Sequence, residues 1–146
     1  MGSARVSERI EAPASEVWNL VRWDNESALI DSGAFARVVY EERRPIAGAT
    51  RALHPADGAP VRERLTSVDA ARLSYVYSVI DPGPMPLQEY VGQACVEPEG
   101  ERACRLTVSC TFTPRGISDE EWVAIYHAIQ QRLIAYLRER TSRPAA

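Results

Sequence analysis

The chain has 146 residues, enough for one domain with its own core and too few for two. Apolar residues make up 45% and charged residues 25%, a globular balance rather than that of a disordered or membrane-spanning chain. A formal charge of −3 argues against nucleic acid, because the sole adjacent basic pair, Arg43-Arg44, follows two acids, Glu41 and Glu42.

The N-terminal residues 1–8 lack the apolar stretch of a signal peptide, so a cytoplasmic location is expected; Met1-Gly2 fits a myristoylation cue and an expression remnant equally. Residues 5–11 alternate weakly and run into a turn at Pro13, a residue suited to the first position of a helix. Val17, Trp18, Leu20 and Val21 then follow helical spacing, and 28–30 predict a second short helix after the corner at 22–27. From there the period changes from 3.6 to 2. Strands are predicted at 35–42, 50–54, 61–68, 73–80, 88–97 and 104–113, separated by turns rich in Gly, Pro, Asp and Ala. Such close spacing leaves no room for crossover helices, which predicts an antiparallel meander.

The last element is the clearest. Ser118-Asp119-Glu120-Glu121 has the form of a capping box, and Trp122, Ile125, Tyr126, Ile129, Leu133, Tyr136 and Leu137 fall on one stripe of a helix ending near Thr141, ahead of Pro144. Gln130, Gln131, Arg132, Arg138 and Glu139 are expected to face water. The only surface able to cover that apolar stripe is the sheet.

The pattern predicts an α+β domain over 1–146: about seven antiparallel strands, two short helices after the first, and a long C-terminal helix. That order resembles the helix-grip fold of the START-like superfamily (SRPBCC, with the birch-pollen-allergen-like proteins), and within it the bacterial polyketide cyclase/dehydrase family. The resemblance rests on Ile10-x-Ala12-Pro13-x-x-x-Val17-Trp18, on Gly48-Ala49-Thr50-Arg51, on Val61-x-Glu63-Arg64-Leu65-x-x-x-Asp69 and on Leu73-Ser74-Tyr75. Residues 85–90 and Phe112-Thr113-Pro114-Arg115-Gly116 extend it over nearly the whole chain. Relatives often carry Trp where Val108 stands, which implies a different lining here.

Strand parity assigns the faces. Leu106, Val108, Cys110 and Phe112 point inward, as do Leu73, Tyr75, Tyr77 and Val79, and Val61, Glu63, Leu65 and Ser67. Tyr75, Tyr77 and Tyr90, with Phe112 and Tyr126 opposite, would line an aromatic cavity suited to a small hydrophobic or aromatic molecule. Val108, Cys110 and Trp122 complete the expected wall, and Trp23 either covers the entrance or packs under the helix pair.

Glu63 is the candidate acid or base, since a carboxylate on an apolar face loses hydration. Arg51 on the neighbouring strand is its natural partner, either in a plain ion pair or in a fork that orients a ligand. All seventeen basic residues are Arg, so lysine Schiff-base chemistry is excluded. Cys95, Cys104 and Cys110 lack zinc-ligand spacing and His54 and His127 read as solvated, so neither metal nor cofactor is expected.

Three functions fit this reading. One is binding of an apolar or polyketide-like metabolite with cyclisation or dehydration, which the resemblance implies. Another is a non-catalytic carrier or sensor using the same cavity, and the third is a module that binds a protein partner. A monomer and a homodimer fit equally.

Overall fold

The computed structural model describes residues 1–142. Its elements are β1 (Gly2–Ile10), α1 (Ala14–Val21), α2 (Ser27–Asp31), β2 (Arg37–Tyr40), β3 (Thr50–His54), β4 (Val61–Asp69), β5 (Ser74–Asp81), β6 (Leu87–Pro98), β7 (Cys104–Pro114) and α3 (Asp119–Ser142). All strands form one antiparallel sheet in the order β1-β7-β6-β5-β4-β3-β2. The meander from β2 to β7 is therefore closed on one side by the first strand, which pairs along its length with the last, from Gly2↔Phe112 to Ile10↔Cys104. This is the α+β helix-grip arrangement that the sequence predicts. Among the described residues no helix is long and apolar enough to cross a membrane.

The ends of the elements follow local chemistry. Pro13 is the residue before α1, not its first, and its carbonyl accepts from the N–H groups of Glu16 and Val17 at 3.0 and 3.2 Å. The corner after α1 is held by Asn25, whose carbonyl oxygen accepts from the Ser27 N–H at 3.0 Å while its amide donates to Asn19 O at 2.7 Å. At α3 the capping box is reciprocal: Glu121 N–H to Ser118 Oγ and Ser118 N–H to Glu121 Oε1, both 3.1 Å. Pro144, expected beyond the end of this helix, lies outside the described residues.

Four expectations need correction. Ser67 faces outward, because Thr66 forms a bulge between the pairs Leu65↔Tyr77 and Ser67↔Val76 and reverses the parity beyond it, turning Val68 inward. Leu73 closes the β4–β5 turn in the left-handed region at φ 52°, rather than opening β5. The strand expected over 35–42 is only four residues long, since the chain bends away at Glu41 and Glu42. On α3 the buried stripe runs through Trp122, Tyr126, Ile134 and Leu137, while Ile125 and Ile129 lie on its flank, 40% and 37% exposed. Gln130, expected to face water, is half-buried one turn after Tyr126 and lines the cavity beside Ile129.

A glycine shapes the interior of the sheet. Gly92 lies opposite both Tyr77 and Cys110 in the middle of β6, and a Cβ there would sit 2.6 Å from the Tyr77 hydroxyl and ring edge. The bare backbone is the seat of the Tyr77 ring. Gly92→Ala is expected to cost about 1–3 kcal/mol through overpacking, measured by urea denaturation. Combined with Tyr77→Leu, the cost should be smaller than the sum of the two single changes, because the clash is then relieved.

Candidate functional site

Between the concave face of the sheet and α3 lies a cavity of about 260 Å³. Leu53, Val61, Val79, Leu87 and Leu106 give it an aliphatic wall on the sheet side, Leu20, Val21 and Leu29 a wall on the α1–α2 side, and Trp122, Tyr126 and Leu133 a roof from α3. Lining residues that also reach solvent, Gly33 and Ala34 after α2 and Ile129 and Arg132 on α3, set its mouth between these two segments. Arg132 spans that mouth, donating to Ser32 O at 3.3 Å.

The space exists because rings hold the walls apart. Trp18, Trp23, Tyr75, Tyr77, Tyr90, Trp122 and Phe112 form an unbroken series of neighbours with centroid separations of 5.9–6.3 Å. Their tilted and edge-on packing leaves the interior of the sheet's curve unfilled. Tyr77 and Tyr90 share a hydroxyl hydrogen bond of 3.1 Å. Tyr126 makes no hydrogen bond to any described residue, so its hydroxyl is a spare donor in the cavity lining.

Burial raises the pKa of Tyr75 and Tyr126, and raises those of Tyr77 and Tyr90 well above the ordinary phenol value. All four are therefore neutral phenols at physiological pH, able to donate.

The charged groups are Arg51 and Glu63, directly opposite each other across β3 and β4 and only 4% and 6% exposed. Arg51 Nε donates to Glu63 Oε1 at 3.0 Å, and Nη2 lies 2.9 Å from the same oxygen. The remaining arm, Nη1, donates to the Trp23 carbonyl at 2.7 Å, and the guanidinium lies 3.8 Å above the Trp23 ring. Tyr40 Oη donates to the same Trp23 carbonyl at 3.0 Å. Arg51 is thus committed to protein partners on its edge and on one face. Glu63 is bound through one oxygen only. Loss of water on burial holds the Glu63 carboxyl above the usual carboxylate range, outweighing the opposing pull of Arg51. For Arg51 burial works against the charge, but Glu63, with Tyr75 and Tyr40, more than offsets it.

Of the residues proposed from sequence, Glu63, Arg51, Tyr75, Tyr77, Tyr90, Val108, Trp122 and Tyr126 all line this one cavity. Trp23, Cys110 and Phe112 are buried but stand behind the lining: Trp23 under Arg51 and against Tyr75 and Tyr77, Phe112 against Trp122, and Cys110 beside Gly92 in the sheet. A tryptophan so fully covered packs the corner and does not lid the entrance. Sequence reasoning missed Gly92, although an isolated glycine inside a strand marks a close approach, and it missed Leu20, Leu29 and Gln130. His54 is half-buried at a strand end, and His127 is exposed.

Fold and site together define a helix-grip domain with an internal, ring-walled cavity. The chain belongs to the polyketide cyclase/dehydrase and lipid transport family, whose model matches residues 1–140. Among solved structures it is similar to the protein XoxI from Bacillus cereus, at 25% identity and a TM-score of 0.82, over 97% of this chain and 96% of that one. A protein of Thermobifida fusca is similar at 26% identity and a TM-score of 0.78, over 98% and 95%. Norcoclaurine synthase from Thalictrum flavum, solved in complex with dopamine and hydroxybenzaldehyde, shares the fold at 17% identity and a TM-score of 0.62, over 92% and 87%. No curated protein matches the chain.

The raised phenols give a direct test. Their folded-state pKa lies above the unfolded value, so the stability they contribute is complete below about pH 10 and is lost as pH rises beyond it. In a spectrophotometric alkaline titration the four cavity tyrosines should ionise only as the fold is lost, seen by circular dichroism, and half-buried Tyr40, also raised by burial, should titrate above the ordinary phenol range. Six tyrosines titrating together near pH 10 with the fold intact would contradict the placement.

Proposed function

We propose that the chain is a single ligand-binding domain that takes one small apolar, aromatic or polyketide-like molecule into its cavity and acts on it by general acid–base chemistry. One observation carries this reading: Glu63, a carboxyl group raised above its ordinary range, is set in the cavity wall with one oxygen clamped by Arg51. Such a group is a stronger base than a solvated carboxylate when ionised and is available as an acid nearer neutrality.

In a cyclisation, Glu63 would take a proton from carbon next to a ligand carbonyl. The electron pair left behind attacks a second carbonyl carbon of the same molecule, whose C=O π pair moves onto its oxygen, and Glu63 returns the proton there to give a hydroxyl. The phenol of Tyr126 is placed in the lining to donate to the oxygen on which charge gathers. In the following dehydration Glu63 takes the second proton from the same carbon, the electron pair of that C–H bond closes the C=C bond, and the hydroxyl departs with this proton as water. The apolar walls exclude solvent and hold the chain folded, and orientation of this kind can supply roughly 7–11 kcal/mol of a barrier. That a protein of the same fold is seen with two small aromatic compounds supports an aromatic guest. Arg51 acts by holding Glu63, to which its Nε and Nη2 are committed while Nη1 is held by the Trp23 carbonyl.

Native mass spectrometry of protein purified from its own host should show a co-purifying small molecule, which then serves as ligand. With that molecule, Glu63→Gln is expected to abolish conversion while leaving affinity within an order of magnitude. Full conversion by the variant would remove Glu63 from the chemistry. Tight binding without conversion by the unaltered protein would assign carriage instead.

A further inference from the structure

The cavity holds an arginine, and an arginine in an apolar pocket ordinarily invites a carboxylate. Here the donors face elsewhere. Three of its five N–H groups are taken, by Glu63 Oε1 for Nε and Nη2 and by the Trp23 carbonyl for Nη1; the hydroxyls of Tyr40 and Tyr75 stand beside the guanidinium, and one of its faces is covered by the Trp23 ring. Glu63 is different: its contacts with Arg51 all run through Oε1, which leaves Oε2 free of them in a residue that lines the cavity. The charge an incoming molecule meets at short range is therefore the carboxylate. Around it stand hydroxyls that are paired with each other, Tyr77 with Tyr90, one that stands beside Arg51, Tyr75, and one that is unpaired among the described residues, Tyr126.

Resting on the proposed ligand-binding function, we infer that the cavity selects a small neutral aromatic molecule bearing a hydroxyl, which donates to Glu63 Oε2, and rejects aromatic carboxylates despite the arginine. An apolar ring fits between Tyr75, Tyr77, Trp122 and Leu133, which line the same space. The volume of 260 Å³ lies below the roughly 300–1,000 Å³ of drug-sized pockets, which points to one or two fused rings rather than a long lipid. A carboxylate group would be set against Glu63, which already holds the Nε–Nη2 edge of the arginine, and burying it without a matched edge of its own is costly.

The test is equilibrium dialysis of the full chain with three probes of one size: 2-naphthol, naphthalene and 2-naphthoate. A hydrogen bond to a charged acceptor predicts 2-naphthol binding about tenfold or more tightly than naphthalene, with 2-naphthoate weaker than 2-naphthol by at least about tenfold. Glu63→Gln keeps an acceptor oxygen and loses the charge, so it should narrow the gap between naphthol and naphthoate by about tenfold. The unaltered protein alone decides the ranking if that variant does not fold. Equal affinities for the three probes, or 2-naphthoate binding as well as 2-naphthol, would overturn the inference and leave the cavity reading standing. No binding by any of the three would overturn the ligand-binding reading, and the inference with it.

Discussion

The site depends on one buried contact, the pairing of Arg51 with Glu63 across β3 and β4. Two formal charges so deeply buried must be matched almost completely, because each loses several kcal/mol of hydration even after relaxation. Arg51 resolves this by reaching two ways. One edge takes Glu63, and the other takes the Trp23 carbonyl just past the end of α1, where Tyr40 adds a second hydrogen bond. The pair thereby ties the helical corner to the sheet and leaves Oε2 of Glu63 outside it. Replacing such a pair by apolar side chains of similar volume is often neutral for stability, whereas removing one partner strands a buried charge.

The second constraint is the aromatic series. Seven rings in contact are too stiff to collapse into the hollow of the sheet, and Gly92 leaves room for the Tyr77 ring against β6, as Gly2 does for Phe112 at β1. Tyr77 is thus held against β6 and joined to Tyr90, and α3 closes over the remainder with Trp122 and Tyr126. The chain belongs to the polyketide cyclase/dehydrase and lipid transport family and shares its fold with norcoclaurine synthase; the chemistry of the hollow is set by the groups on its wall.

Much of this was legible in the residues. Period-2 patterning between closely spaced turns gave the meander, the Ser118–Glu121 box marked the start of α3, parity on β4, β5 and β7 put Glu63, Tyr75, Tyr77 and Val108 on one face, and Arg51 followed as the partner of Glu63 on the neighbouring strand. Parity fails where the count of residues is broken. The bulge at Thr66 turns Ser67 outward, and nothing in Leu65-Thr66-Ser67 announces it. The α3 stripe went wrong for a related reason: Ile125 and Ile129 are as apolar as Ile134, and only the curvature of the sheet decides which of them it covers. Depth was the least accessible feature. Inward parity put Cys110 and Phe112 on the correct face, but whether a side chain reaches the cavity or stops behind another ring depends on packing that no spacing encodes.

A double-mutant cycle on the unfolding free energy of Arg51→Met and Glu63→Met addresses the central contact most directly. Each single change should cost about 3–5 kcal/mol, because it strands a buried charge, while the double variant should stay near the unaltered protein. Costs that simply add would contradict the account, since they would mean that the two side chains contribute independently and that no pair sets the geometry of the cavity.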